Sequence, residues 1–133
     1  MRARTFPALA LVLTLGAGVA GPAGAANWVN NYNAMRTAPI TRFNQADMAL
    51  MDKTVNGALE SGADGTKVEW SNPATGSSGS ITPAKDPKGR ANCRLAQIEN
   101  RHKSLSGAGG YIFCRNTKSK TPPWQLVAPW TGA

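Results

Sequence analysis

Polar and apolar residues alternate with a period of two along much of the second half of the chain, and with a period near that of a helix along one stretch of the first half. The first pattern predicts strands with one face on a core, the second an amphipathic helix. Val68 and Trp70 alternate with Lys67, Glu69 and Ser71. The chain then turns at Asn72-Pro73, where Asn takes a local backbone bond, Pro73 pre-sets φ and Gly76 supplies a left-handed residue. Pairing Asn72 with Ser77 sets Val68 against Ile81 and Trp70 against Gly79, whose missing side chain leaves room for the indole. Downstream, Cys93 and Leu95 alternate with Arg94 and Ala96, and Ile112 and Cys114 alternate with Tyr111, Phe113 and Arg115. Matching Cys93 to Cys114 sets Leu95 against Ile112 and places a turn near residues 101–106. A last alternation, Trp124-Gln125-Leu126-Val127, predicts a fifth strand with Trp124 and Leu126 inward, followed by a Pro129-Trp130 tail.

The helical period lies upstream of these strands. Met51, Val55, Ala58 and Leu59 form a stripe at spacings of three and four. Asn44 is a good N-cap, Asp47 stands at the third helical position where a carboxylate meets the helix dipole, and Phe43 is placed to meet Met48 as a hydrophobic staple. Gly62 ends the helix, and Gly57 inside it suggests a close approach to the sheet. Asp47 and Asp52 do not share a face and read as a cap and a solvated surface residue. The expected fold is α+β, one N-terminal helix on an antiparallel sheet of about five strands. Residues 26–40, with Trp28, Tyr32 and several asparagines, form an irregular leader, and residues 41–130 the domain.

Residues 1–25 read as a signal peptide: Arg2 and Arg4, an apolar run over residues 6–20 too short for a membrane span, and Ala23-Gly24-Ala25 as cleavage site. No membrane segment is expected after processing. Export gives the two cysteines a reading, since an even count in an oxidising compartment favours one disulfide, Cys93 to Cys114. Closing that loop stabilises a small domain by about 3 kcal/mol. Two thiols and one distant histidine cannot fill a zinc site. Charge is uneven. Residues 27–65 carry three basic and four acidic groups, whereas residues 66–133 carry ten basic and three acidic. Such an imbalance fits an anionic partner, and solubility alone also accounts for it.

The chain resembles the bacterial 17 kDa surface antigen family in its C-terminal outer membrane surface antigen domain, over residues 44–124. The resemblance rests on Asp47 and Ala58-Leu59-Glu60, on Trp70-Ser71-Asn72-Pro73, on Thr75-Gly76 and Gly79, on Thr82-Pro83, on both Cys-Arg pairs and on Trp124. It implies an envelope or surface location and an antigenic, structural or binding role without a defined enzymatic activity. The lipidation cysteine and glycine-rich segment common in that family have no counterpart here.

Candidate chemistry is sparse. His102 is the only histidine and lies in a segment that reads as a hairpin turn, and the glycines at residues 107, 109 and 110 lack the surroundings of a phosphate-binding loop. No catalytic, metal or cofactor residue is assigned. Arg94 and Arg115, each following a cysteine, become diagonal neighbours on the face opposite the disulfide and form a candidate anion-binding pair. Lys85, Lys88, Arg90, Lys118 and Lys120 add to the field. The alternative is that these arginines cover the sheet and pair with Glu69 or Asp86. The expected function is a periplasmic or secreted envelope module, with peripheral outer-membrane association, binding an anionic macromolecule, glycan or acidic protein through a basic sheet face. Nucleic acid is not among the expected partners. The competing readings are an inhibitor of a hydrolase, acting through a loop at residues 118–123, and an enzyme with an unrecognised site.

Overall fold

The computed structural model describes residues 31–132, apart from 33, 36, 37 and 119. The expected signal peptide, and Trp28, Asn27, Asn30 and Asn33 of the leader, lie outside the described residues. A 3₁₀ turn, Pro39–Arg42, leads into helix α1, Gln45–Ser61. Five strands follow: β1 Val68–Asn72, β2 Ser77–Lys85, β3 Cys93–His102, β4 Leu105–Arg115 and β5 Trp124–Trp130. They form one antiparallel sheet in chain order, with α1 across one face.

α1 begins as its sequence requires. The Asn44 side chain accepts from the Asp47 backbone N–H, and Asp47 Oδ2 accepts from the Asn44 N–H, a reciprocal capping box. At the other end the Gly62 N–H reaches the Ala58 carbonyl at 2.9 Å. The stripe Met51, Val55, Ala58 and Leu59 is buried against Trp70, Ile81, Ile98, Phe113 and Trp124 from the sheet. Phe43 stands edge-on to Trp70, with ring centroids 5.3 Å apart. Gly57 makes no close approach: it is exposed, and a Cβ built there meets nothing within 4 Å.

Strand registers follow the alternation. Val68 pairs with Ile81, Trp70 with Gly79 and Asn72 with Ser77. Cys93 pairs with Cys114 and Leu95 with Ile112, and the two cysteines form the disulfide. Three departures have local causes. Residues 105–110 are strand despite their glycines, because a side chain at Gly109 would collide with the Tyr111 ring folded back over it, and one at Gly110 would press on Gln97 and Trp130. The turn between β3 and β4 therefore shrinks to Lys103 and Ser104, with Lys103 at φ 53°. β5 continues through Pro129 to Trp130 rather than ending in a tail. Phe113 pairs with Leu126 but Ile112 with Ala128, so Val127 is a bulge residue. The bulge switches faces: Leu126 joins the core under α1, while Trp130 joins Leu95, Ile112 and the disulfide on the opposite face.

The described part of the leader is anchored rather than loose. Tyr32 and Met35 are buried in the core, and the Tyr32 hydroxyl donates to Asp52 at 2.9 Å. The Asn31 amide accepts from the Leu126 N–H and donates to the Trp124 carbonyl, engaging the free edge of β5 as a neighbouring strand would. Among the described residues no helix is long and apolar enough to cross a membrane.

Candidate functional site

The C-terminal end of α1, the β2–β3 turn and the β4–β5 connection lie at one end of the sheet. A backbone bond from Arg115 N–H to the Asn92 carbonyl, 2.8 Å, joins the last two. This end holds Arg94 and Arg115. Both project from the face opposite the disulfide, as the register requires, and both line one cleft of about 450 Å³ with Glu60, Asp64 and Trp124. Their partners are neither Glu69 nor Asp86. Arg94 donates through Nη1 to the carbonyls of Ala58, at 3.2 Å, and Leu59, at 2.9 Å, and through Nη2 to Asp64. It therefore caps the C-terminus of α1, where a cation meets the negative end of the helix dipole. Arg115 donates to Glu60 at 3.0 Å and lies 4.7 Å from the centre of the Trp124 ring, whose Nε1–H donates to the other Glu60 oxygen at 2.9 Å. The bond from Arg115, followed by that from Trp124, holds the Glu60 carboxyl below its ordinary value. Two cations thus face two carboxylates, and the cleft carries no net charge.

The uncompensated charge lies beside this cleft. Arg90 is tied to Asp86 by a bidentate pair, and Arg90 hydrogen bonding is the leading cause that pulls the Asp86 carboxyl down to about 2. Lys85, Lys88, Lys118 and Lys120 are exposed and have no carboxylate within ion-pair reach among the described residues. These four lysines therefore gather at an end of the sheet, not on its face, whereas Lys67 and Arg101 stand on the face and Lys103 in the turn at the opposite end.

The solvated surface position expected of Asp52 is not found, since it is half-buried and bonded to Tyr32 and Asn56. At the opposite end, Asp47 is more than the helix cap its spacing predicts. It is 1% exposed, and beyond the helix cap it accepts from Asn72 Nδ2 at 2.8 Å, Thr75 Oγ1 at 2.6 Å and Ser77 Oγ at 2.9 Å. Burial pushes its carboxyl up, but the bonds from Thr75, Asn44, Asn72 and Ser77 outweigh burial and leave it below the ordinary value. Ser77 Oγ also lies 2.8 Å from His102 Nδ1. Asp, Ser and His meet here, but in the wrong order for a catalytic triad. The serine proton goes to Asp47, which leaves the oxygen to accept from the imidazole; a nucleophilic serine needs the reverse. Ser77 is moreover 1% exposed. The cluster fastens the β1–β2 turn to the start of α1.

The outward face of the sheet holds a feature that composition did not announce. Lys67, Glu69, Ser78, Ser80, Glu99 and Arg101 line an open trough of about 410 Å³ along β2. The signal was present in the predicted hairpin, whose register already sets Glu69 against Ser80 and Ser71 against Ser78. Among the described residues no group of three or more His, Cys, Asp or Glu side chains is arranged to hold a metal ion. No protein family, curated relative or solved structure matches the chain.

Proposed function

We propose that the chain is an exported, non-enzymatic module of the bacterial cell envelope, of the kind its resemblance to surface antigens implies, and that it docks on an anionic envelope polymer through its basic end. One observation carries this reading: Lys85 at the end of β2, Lys88 in the loop after it, and Lys118 and Lys120 in the β4–β5 connection lie at the same end of the sheet with no ion-pair partner among the described residues. Four such cations on two adjoining connections and the strand end beside them make a local positive field, and long lysine stems adapt to a polymer without fixed geometry. The arginines support this end from beneath, holding the helix terminus and the strand ends in place. The signal peptide expected at residues 1–25 and the disulfide both suit an extracytoplasmic location.

Retention of the exported protein on immobilised polygalacturonate, and sedimentation with lipopolysaccharide, test the reading against neutral dextran. Binding to the acidic polymers that weakens steadily with added salt is expected. Equal retention on dextran, or no binding to either acidic polymer at low ionic strength, contradicts it.

A further inference from the structure

We infer that the trough on the outward sheet face is a separate binding site, and that its ligand is an uncharged polyhydroxylated molecule, a stretch of neutral glycan. The inference does not rest on the basic end, which lies at the sheet's margin. Register builds the trough. Glu69, Ser80 and Glu99 form one row across β1, β2 and β3, and Ser71, Ser78 and Arg101 form the next. The floor is low because β2 contributes only Ser78, Gly79 and Ser80, while β1 and β3 raise long side chains on both sides. Two strand spacings put the backbones of Glu69 and Glu99 roughly 10 Å apart, wide enough to admit a sugar ring between the carboxylates.

The chemistry selects the ligand. Lys67 and Arg101 balance Glu69 and Glu99, so the trough has no net charge and offers an ionic ligand little long-range attraction. It contains donors and acceptors in alternation, and none of Lys67, Glu69, Glu99 and Arg101 has an ion-pair partner among the described residues. Ser80 stands between Glu69 and Glu99 on the floor, 6% exposed, with its side chain toward the trough. A hydroxyl that both donates and accepts, flanked by two acceptors in register, matches vicinal sugar hydroxyls, which also do both. One row further, Thr82, Gln97, Gly110 and Trp130 are in register, and the half-buried indole supplies an apolar surface against which a neighbouring ring can lie.

The test is amide chemical-shift mapping of the full chain with cellotetraose and with chitotetraose. Shifts confined to residues 69–71, 78–80 and 99–101 and to the adjoining row of Thr82, Gln97, Gly110 and Trp130 are expected with at least one sugar. The affinity should change by less than about twofold between low and high salt, because no net charge is neutralised. It should fall about tenfold or more in a Glu69→Gln, Glu99→Gln double variant, whose side chains keep their size but lose charge-assisted acceptance. Ser78→Arg, which fills the floor, should abolish binding, and a correctly folded spectrum for either variant is enough to read the result. The inference is overturned by no shifts with either sugar, by shifts elsewhere, by an equal loss on Lys85→Gln and Lys88→Gln, or by calcium alone producing the same shifts.

Discussion

The Trp70 indole lies across Gly79 so closely that a Cβ at residue 79 would stand 2.6 Å from its Nε1 and 2.5 Å from the Glu99 carbonyl oxygen. Both the ring and the backbone of the next strand are fixed, so a methyl group has nowhere to go. Gly79→Ala should destabilise the fold by about 2 to 3 kcal/mol in denaturant unfolding. Trp70→Ala should cost about 3 to 5 kcal/mol, since it empties a large buried site beneath α1 at the edge of the core. In the Trp70→Ala background the alanine at 79 should cost less, because one of its three collisions is gone, those with the Glu99 carbonyl and with Asn100 Oδ1 at 2.8 Å remaining. Simple additivity would show that the indole and the glycine are not coupled.

Asp47 joins the start of α1 to the β1–β2 turn as an ionised carboxylate. Asp47→Asn keeps the size but turns two donors toward donors, and should cost about 2 to 4 kcal/mol at neutral pH. The folded carboxyl titrates below its ordinary value of about 3.9, so its contribution is complete above that value and drains away as pH falls through the folded one. Asp86, held down to about 2 chiefly by Arg90, acts in the same sense. Asp52 acts in the opposite sense, because burial raises its carboxyl and stability from that group grows as pH falls. Acid unfolding followed by circular dichroism should therefore show a shallower limb below pH ~4 in Asp47→Asn than in the native protein. An unchanged limb contradicts the assignment of Asp47 as the carboxylate that matters.

Arg94 and Arg115 should part company on substitution. Arg94→Gln removes bonds to two helix carbonyls and to Asp64, and should cost about 1.5 to 3 kcal/mol. Arg115→Gln removes a half-exposed ion pair and a ring contact, and should cost about 1 kcal/mol or less. Thermal melts of the two variants decide this, and the reverse order would show that Arg94 is not the helix cap.

The fold was largely legible because two of the four strand registers are set by pairs that a period of two can find. Trp70 with Gly79 and Cys93 with Cys114 fix two hairpins, and Asn44 with Asp47 fixes the helix start. What stayed hidden depends on contacts distant in sequence. Asp47 is a cap by local spacing, and its bonds to Thr75 and Ser77 exist only once the hairpin folds against α1. The bulge at Val127 leaves no mark in the alternation, so the turning of Trp130 to the other face was not visible. Charge was counted correctly, but the carboxylates that neutralise the arginines, Glu60 and Asp64, come from the acidic half of the chain. That is why the arginines alone looked like an anion site and the lysines beside them did not.

The measurement that tests the central claim most directly is the salt dependence of binding to polygalacturonate for three proteins: the native chain, Arg115→Gln, and a variant with Lys85, Lys88, Lys118 and Lys120 all changed to Gln. The native chain and Arg115→Gln should bind within about threefold of each other and weaken with salt along similar slopes, because Arg115 is already paired with Glu60. The four-lysine variant should keep its melting temperature and lose at least about tenfold in affinity at low salt, with a flattened slope. Loss of binding in Arg115→Gln with retention in the four-lysine variant would contradict the claim and return the anion site to the arginine pair.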